Sequence, residues 1–179
     1  RILKISKNRF KETKKIKYHP IYDNPPDGDI SVDAVTGTAM LIDREKLKLI
    51  NDWDTNIFNY FEDMDLCLRF RLKGFEIIKI RNAEVDHDAF SSHDENFSKQ
   101  MDFSRNWHYS WSSFYFLKKH TTIFNAYKFG ISLLLKSTIK SVFYIFFKRS
   151  KSITHFAKAY GIFFAILNLK SKYRPKITI

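Results

Sequence analysis

The sequence predicts an α/β unit over residues 1–120, followed over residues 121–179 by a helical tail rich in basic and aromatic side chains. Three features carry that prediction. Between Val32 and Asp88, short apolar runs of β type alternate with a segment of helical periodicity, which is the pattern of an α/β chain. From Asn96 onward the periodicity is helical throughout. The charge divides along the same line, with +7 over residues 1–17, −9 over 18–102 and +14 over 103–179, where no acid follows Asp102.

Residues 1–30 hold a basic stretch and then a loop, marked by Pro25, Pro26 and Gly28 between Asp23 and Asp29. Val32–Ile42 reads as a buried strand broken at Gly37, and Asp43 is placed to cap a short helix over Arg44–Ile50. A loop runs through Trp53 and Phe58. Glu62, Asp63 and Asp65 then open a second helix, where the positive end of the helix dipole favours acids. Its apolar positions Met64, Cys67, Leu68 and Leu72 fall at helical spacing, and Gly74 closes it. Phe75–Ile80 has strand character, and Ala83–Asp88 reads as another short strand ending near His87.

In the tail, residues 123–147 form the longest apolar stretch. Lys128, Ser132, Lys136 and Lys140 share one side of a helix, while Tyr127, Ile131, Leu134, Ile139, Val142 and Ile145 gather on the other. Lysines near the middle of a spanning helix would each cost about 2.5–3.5 kcal/mol, so the pattern suits a helix lying in an interface rather than crossing it. Lys148, Arg149 and Lys151 lead into a second apolar segment, Ile153–Leu169, which holds only Lys158 as a charge. Two readings stand for the pair: a helical hairpin lying on an anionic membrane surface, or faces that pack on one another or on a part of the protein missing from this sequence.

Composition removes several classes. At 179 residues, 44% hydrophobic and 17% aromatic, with Gly 5 and Pro 4, the chain has enough apolar mass for a core and is neither disordered nor collagenous. The lone Cys67 excludes a disulfide scaffold and a thiolate zinc site, and favours a reducing compartment. A start at Arg1, with eight bases and one acid in 17 residues, fits neither an initiator methionine nor a signal peptide, so the chain reads as cut at its start. The Asp52-x-Asp54-x-Asn56 run is not an EF-hand loop, because Ile57 stands where glycine is needed and Asp63 where the bidentate glutamate is needed.

The acidic middle block is the specific part. The run Val32-Asp33-Ala34-Val35-Thr36-Gly37-Thr38-Ala39-Met40-Leu41-Ile42 comes first, then Trp53-Asp54. Phe58-Asn59-Tyr60-Phe61-Glu62-Asp63-Met64-Asp65-Leu66-Cys67-Leu68-Arg69 follows, and last Val85-Asp86-His87 with Ser91. This order resembles the C-terminal half of the catalytic domain of family 2 glycosyltransferases with the GT-A fold, in particular rhamnosyltransferase-like members that extend bacterial cell-surface glycans. The resemblance covers about residues 32–120. It implies a nucleotide-binding N-terminal half, with an Asp-x-Asp motif, that this sequence does not contain, and a fragment that is not a competent enzyme alone.

Inverting glycosyl transfer is one displacement at an anomeric carbon, so it needs a single carboxylate to take the acceptor hydroxyl's proton and something to hold the leaving diphosphate. The resemblance gives the first role to Asp63, with Glu62 positioning Asp63 or the acceptor; on the residues alone, Glu62, Asp63 and Asp65 are also ordinary first-turn acids. Gly37 and Thr38 would line the sugar side of the donor pocket, against the alternative of a strand bulge at Gly37. Trp53 suits stacking on an acceptor sugar, although a loop tryptophan more often packs into a core. Asp65 and Arg69, spaced i, i+4, are either substrate contacts or a structural ion pair. His87 stands where the family places a ligand for a divalent metal, Mg or Mn, against the alternative of a solvated loop histidine between Asp86 and Asp88.

The function expected is therefore transfer from a nucleotide-diphosphate sugar donor to a lipid-linked or polysaccharide acceptor, at the cytoplasmic face of the cell membrane with peripheral attachment. Two other classes compete. A basic, aromatic tail also suits single-stranded nucleic acid or a membrane surface in a module without catalysis, but the −9 core argues against a nucleic-acid groove there. A metal-dependent hydrolase built on Glu62, Asp63, Asp65 and His87 has fewer ligands than such sites use.

Overall fold

The computed structural model describes residues 28–86 and 97–175. In chain order the elements are β1 (Ile30–Val32), α1 (Arg44–Leu49), α2 (Glu62–Leu72), β2 (Ile77–Lys79), α3 (Ser98–His120), α4 (Ile123–Ile145) and α5 (Arg149–Ile166). The described residues divide into two units, one of 28–54 with 62–86 and one of 55–61 with 97–175. The helix α3, counted by the sequence with residues before 121, thus shares a unit with α4 and α5.

In the first unit β1 and β2 pair antiparallel, with Ile30 opposite Lys79 and Val32 opposite Ile77. The core is Ile50, Leu66 and Phe70, with Met40, Ile42, Leu47, Phe75 and Ile77 packed around it. Asp43 caps α1 as its position predicts, accepting from the backbone N–H groups of Glu45 (2.9 Å) and Lys46 (3.2 Å). Gly74, at φ +86°, ends α2 in the left-handed region, and the Phe75 N–H returns to the Phe70 carbonyl at 3.1 Å.

Three sequence expectations need correction here. The strand expected over Val32–Ile42 stops at Val32, and residues 34–42 run as turn and loop. A strand needs a ladder partner, and β1 is paired only across Ile30–Val32; beyond it the loop is held by side chains of α2 instead. With no strand at Gly37, the bulge reading lapses. Residues 83–86 form no strand either, and the rest of that expected strand, with His87, lies outside the described residues. On α2 the buried face is Asp65, Leu66, Cys67 and Phe70, while Leu72 is 48% exposed. The helix is turned so that Phe70 meets the core, and the acid that this turns inward is held by Arg69.

The second unit is three helices around Trp107, Trp111, Phe114, Leu117, Ala126, Ile162 and Ala165. The helical reading of the tail holds, but the seam differs from the apolar face that periodicity suggests. On α4 the buried residues are Ala126, Gly130, Ser137 and Ser141, and on α5 they include Ser152, Ala157, Ala159, Gly161 and Ala165. Small side chains let the helices approach closely, and Ser141 and Ser152 exchange hydrogen bonds with each other's backbone carbonyls (3.1 and 2.8 Å). The larger apolar groups are left outside: Ile131, Ile139, Val142, Phe143, Ile145, Phe146 and Phe147 are each 49–80% exposed.

The α5 exit is pinned by a buried histidine. Asn168, at φ +56°, turns the chain back, and His108 on α3 meets the Ser171 hydroxyl (3.0 Å, Nδ1) and the Tyr173 carbonyl (2.9 Å, Nε2). A carbonyl only accepts, so the Nε2 tautomer carries the proton and Nδ1 accepts from Ser171. Burial, reinforced by the nearby Arg174 charge and only partly offset by the Tyr173 carbonyl, pushes the His108 pKa down to about 4. In the unfolded chain it lies near 6.5, so between pH 6.5 and 4 the unfolded state binds more protons and stability falls as pH falls. The loss should reach about 2–3 kcal/mol, seen as a fall of roughly 10 °C in the Tm of the helical unit. His108→Gln should flatten that dependence, and an unchanged pH profile in this variant would assign the acid sensitivity elsewhere.

Candidate active site

The sequence-predicted site residues fall mainly on the start of α2 and the turn at 36–38. Asp63, in the first turn of α2, accepts from its neighbour Met64 N–H through Oδ1 (2.7 Å) and from the Gly37 N–H through Oδ2 (3.0 Å). One carboxylate therefore ties together two motif segments 26 residues apart. A second tether is the Cys67 thiol, which faces the Val35 carbonyl at 3.9 Å. That thiol is buried, which pushes its pKa up and leaves it a packing group rather than a nucleophile.

The turn itself is open to solvent. Gly37 and Thr38 are exposed, and Thr38 is joined to Thr36 through their hydroxyls at 3.3 Å. A Cβ added to Gly37 would sit 3.7 Å from the Asp63 Cβ, an ordinary contact, so nothing within the unit requires glycine there. Glu62 is half-buried. Desolvation, with the adjacent Asp63 charge, raises its pKa, while its own backbone N–H pulls the other way. Among the described residues its Oε2 is shielded from solvent and has no hydrogen-bond partner. The two adjacent acids thus differ: Asp63 is held by two backbone donors, and Glu62 keeps an unsatisfied oxygen.

Asp65 and Arg69 take the ion-pair reading. Asp65 is fully buried and receives the Arg69 Nε–H at 2.7 Å. Arg69 Nη1 also donates to the carbonyls of Ile50 (2.6 Å) and Asp52 (2.7 Å), which fixes the left-handed pair Asn51 and Asp52 after α1. Trp53 is 39% exposed and is not among the buried core residues of its unit.

One feature of the motif has no signal in the sequence. Tyr60 and Phe61, the two residues before Glu62, both have positive φ (64° and 68°). That region is unfavourable for bulky side chains, at roughly 1–3 kcal/mol each, and such strain concentrates at functional sites. The surroundings hold it: Asn59 Oδ1 accepts the Tyr60 N–H (3.0 Å), Ser112 donates to the Asn59 carbonyl (2.8 Å), and the Phe61 ring packs on Tyr109 and Phe116.

Among the described residues no group of three or more His, Cys, Asp or Glu side chains is arranged to hold a metal ion. His87, the expected ligand, lies outside those residues. No described side chain is therefore assigned to a metal ion. No described helix is long and apolar enough to cross a membrane.

No family model matches this chain, and no solved structure does. A rhamnosyltransferase of Escherichia coli (strain K12), WbbL, is 31% identical over 97 residues, which is 54% of this chain and 35% of that protein. The chain thus spans about a third of the length of that relative, and over the matched part it is similar to a glycosyltransferase.

Proposed function

We propose that this chain supplies the acceptor-activating part of an inverting family 2 glycosyltransferase with a GT-A fold. The observation that carries the reading is the Asp63 carboxylate, joined to the exposed Gly37–Thr38 turn. Asp63 Oδ takes the proton of an acceptor hydroxyl. The hydroxyl oxygen forms its bond to the anomeric carbon as the bond from that carbon to the diphosphate oxygen breaks, and the electron pair leaves with the nucleoside diphosphate. Glu62 orients Asp63 or the acceptor, Gly37 and Thr38 border the donor sugar, and Trp53 receives an acceptor ring. A divalent ion, which His87 would help to hold, would neutralise charge on the leaving diphosphate.

The test is product formation by the protein as its own cell expresses it, given nucleoside-diphosphate sugars with deoxyhexose donors among them and a lipid-linked glycan acceptor. A product whose new linkage has the opposite anomeric configuration to the donor, read by proton NMR, supports the reading. Retention of configuration, or hydrolysis without transfer, contradicts it.

Attachment to an anionic membrane surface from the cytoplasmic side completes the proposal. The uncovered Ile139, Phe143, Phe146 and Phe147, bordered by Lys136, Lys140, Lys148 and Arg149, combine apolar area with positive charge. Each base near an anionic leaflet contributes on the order of 1 kcal/mol, and the apolar part is not screened by salt. Phe143→Ser with Phe146→Ser should abolish sedimentation with anionic liposomes, while high salt should weaken but not remove it in the unaltered protein. Sedimentation unchanged in the double variant would return the tail to a packing role. The acid-free tail also fits a binding module without catalysis, a reading that nothing in the geometry of Asp63 and Gly37 favours.

A further inference from the structure

The exposed apolar patch of α4 continues, ring by ring, into a basic cluster where α4 meets α5. Phe147 stacks on Phe143 with ring centroids 4.7 Å apart, and Phe143 meets Tyr144 edge-on at 5.4 Å. The next ring comes from the other helix: His155 on α5 lies flat on Tyr144, with centroids 5.6 Å apart and planes 7° apart. Contacts between rings therefore lead from the exposed Phe143 and Phe147 to a half-buried histidine. The Tyr144 ring also takes the Lys151 ammonium, at 5.2 Å.

The charges that act on His155 are all positive. Lys151 and Lys158, four residues before it and three after, neighbour it on α5, and Lys140 lies one turn before Tyr144 on α4. The titratable and charged groups facing it are thus Lys140 and Tyr144 from α4 and Lys151 and Lys158 from its own helix; α3, also packed on α5, contributes none of these charges. No Asp or Glu follows Asp102, so α4 and α5 hold no acid to balance the cluster. Burial and the three lysines keep the His155 pKa below the usual 6.5, which leaves the ring uncharged at neutral pH. Protonation does not unseat it, because a cation over a tyrosine face is attracted to that face.

We propose that His155 makes attachment of the helical unit to an anionic phospholipid surface proton-dependent, tightening as the medium is acidified. Uncharged, it adds only a ring to the patch; charged, it joins Lys140, Lys151 and Lys158 in meeting headgroup phosphates. This rests on the membrane reading of α4 given above and adds a control to it. The phosphates of an anionic leaflet offset the lysine charges, and the negative surface potential concentrates protons, so the His155 pKa is higher on the surface than in solution. A group that holds its proton more tightly in the bound state strengthens binding as pH falls through the bound pKa, and the gain is complete below the free one.

Sedimentation of the full chain with vesicles of phosphatidylglycerol and phosphatidylcholine, at constant ionic strength, tests this. The partition constant should be about threefold or more higher near pH 5.5 than near pH 8, the effect of roughly one further base at the surface. His155→Gln should keep the weaker value at both pH values, and His155→Lys the stronger value at both. In the unaltered protein, proton NMR titration should place the His155 pKa about half a unit or more higher on bicelles containing phosphatidylglycerol than on bicelles of phosphatidylcholine alone, a readout that needs no variant. Equal partition at the two pH values, a His155→Gln protein with the full pH dependence, or a His155 pKa unchanged between the bicelles would overturn the proton control while leaving the attachment itself standing. No sedimentation at either pH would overturn both.

Discussion

Gly161→Ala should unfold the helical unit at a temperature about 10–15 °C below that of the unaltered chain, the largest stability effect expected of a single methyl group in this molecule. A Cβ at this position would lie 2.2 Å from the Trp107 carbonyl oxygen and 2.9 Å from its carbon. Both are backbone atoms in the middle of α3, so no rotamer change relieves the clash. Alanine gains about 1 kcal/mol in helix propensity over glycine, but that gain is outweighed when α3 and α5 must separate and loosen Trp107, Ile162 and Ala165 together. The net loss should be about 2–3 kcal/mol, read by circular dichroism on heating. Gly130→Ala should cost less, since its Cβ would meet the Phe114 ring at 2.7 Å, a side chain that can shift. A Gly161→Ala melting curve within a few degrees of the unaltered one would mean that the α3–α5 seam is looser than described.

Local signals were legible in the sequence and tertiary ones were not. Asp43 as a cap, the acids opening α2, Gly74 ending it and the helical character of α3, α4 and α5 all follow from short-range chemistry that needs no partner. The strand expected over Val32–Ile42 failed because β character is realised only where a ladder exists, and the residues after Val32 bond to α2 instead. The small-residue seam of α4 and α5 escaped a reading that looks for large apolar faces, because helices here meet through Gly, Ala and Ser while Ile139 and Phe143 stay outside. The positive φ at Tyr60 and Phe61 occurs at residue types that give no turn signal. At the candidate site, the motif named Asp63, Glu62 and Gly37, and the hydrogen bond between Asp63 and Gly37 was not visible until the chain was folded.

Asp63→Asn is the second large effect. An amide keeps the size of the side chain but cannot take a proton, so transfer should fall by about 10²–10⁴-fold, the range that a positioned general base contributes. The substitution also touches structure, because both carboxylate oxygens accept backbone N–H groups and an amide nitrogen would face one of those donors. Some loss of stability is therefore expected, from one of the two bonds at about 1 kcal/mol, and it must be separated from the loss of chemistry. Glu62→Gln serves as the comparison. Its acid is adjacent, half-buried and raised in pKa by desolvation, so it is the rival for the same role.

The most direct measurement compares turnover and nucleotide-sugar binding in Asp63→Asn and Glu62→Gln side by side, in the protein as its own cell expresses it and below the melting temperature of each variant. The account predicts that Asp63→Asn loses turnover by about 10²–10⁴-fold with donor affinity nearly unchanged, while Glu62→Gln retains a larger share of it. Turnover within a few-fold of the unaltered protein in Asp63→Asn, or the greater loss in Glu62→Gln, would contradict it.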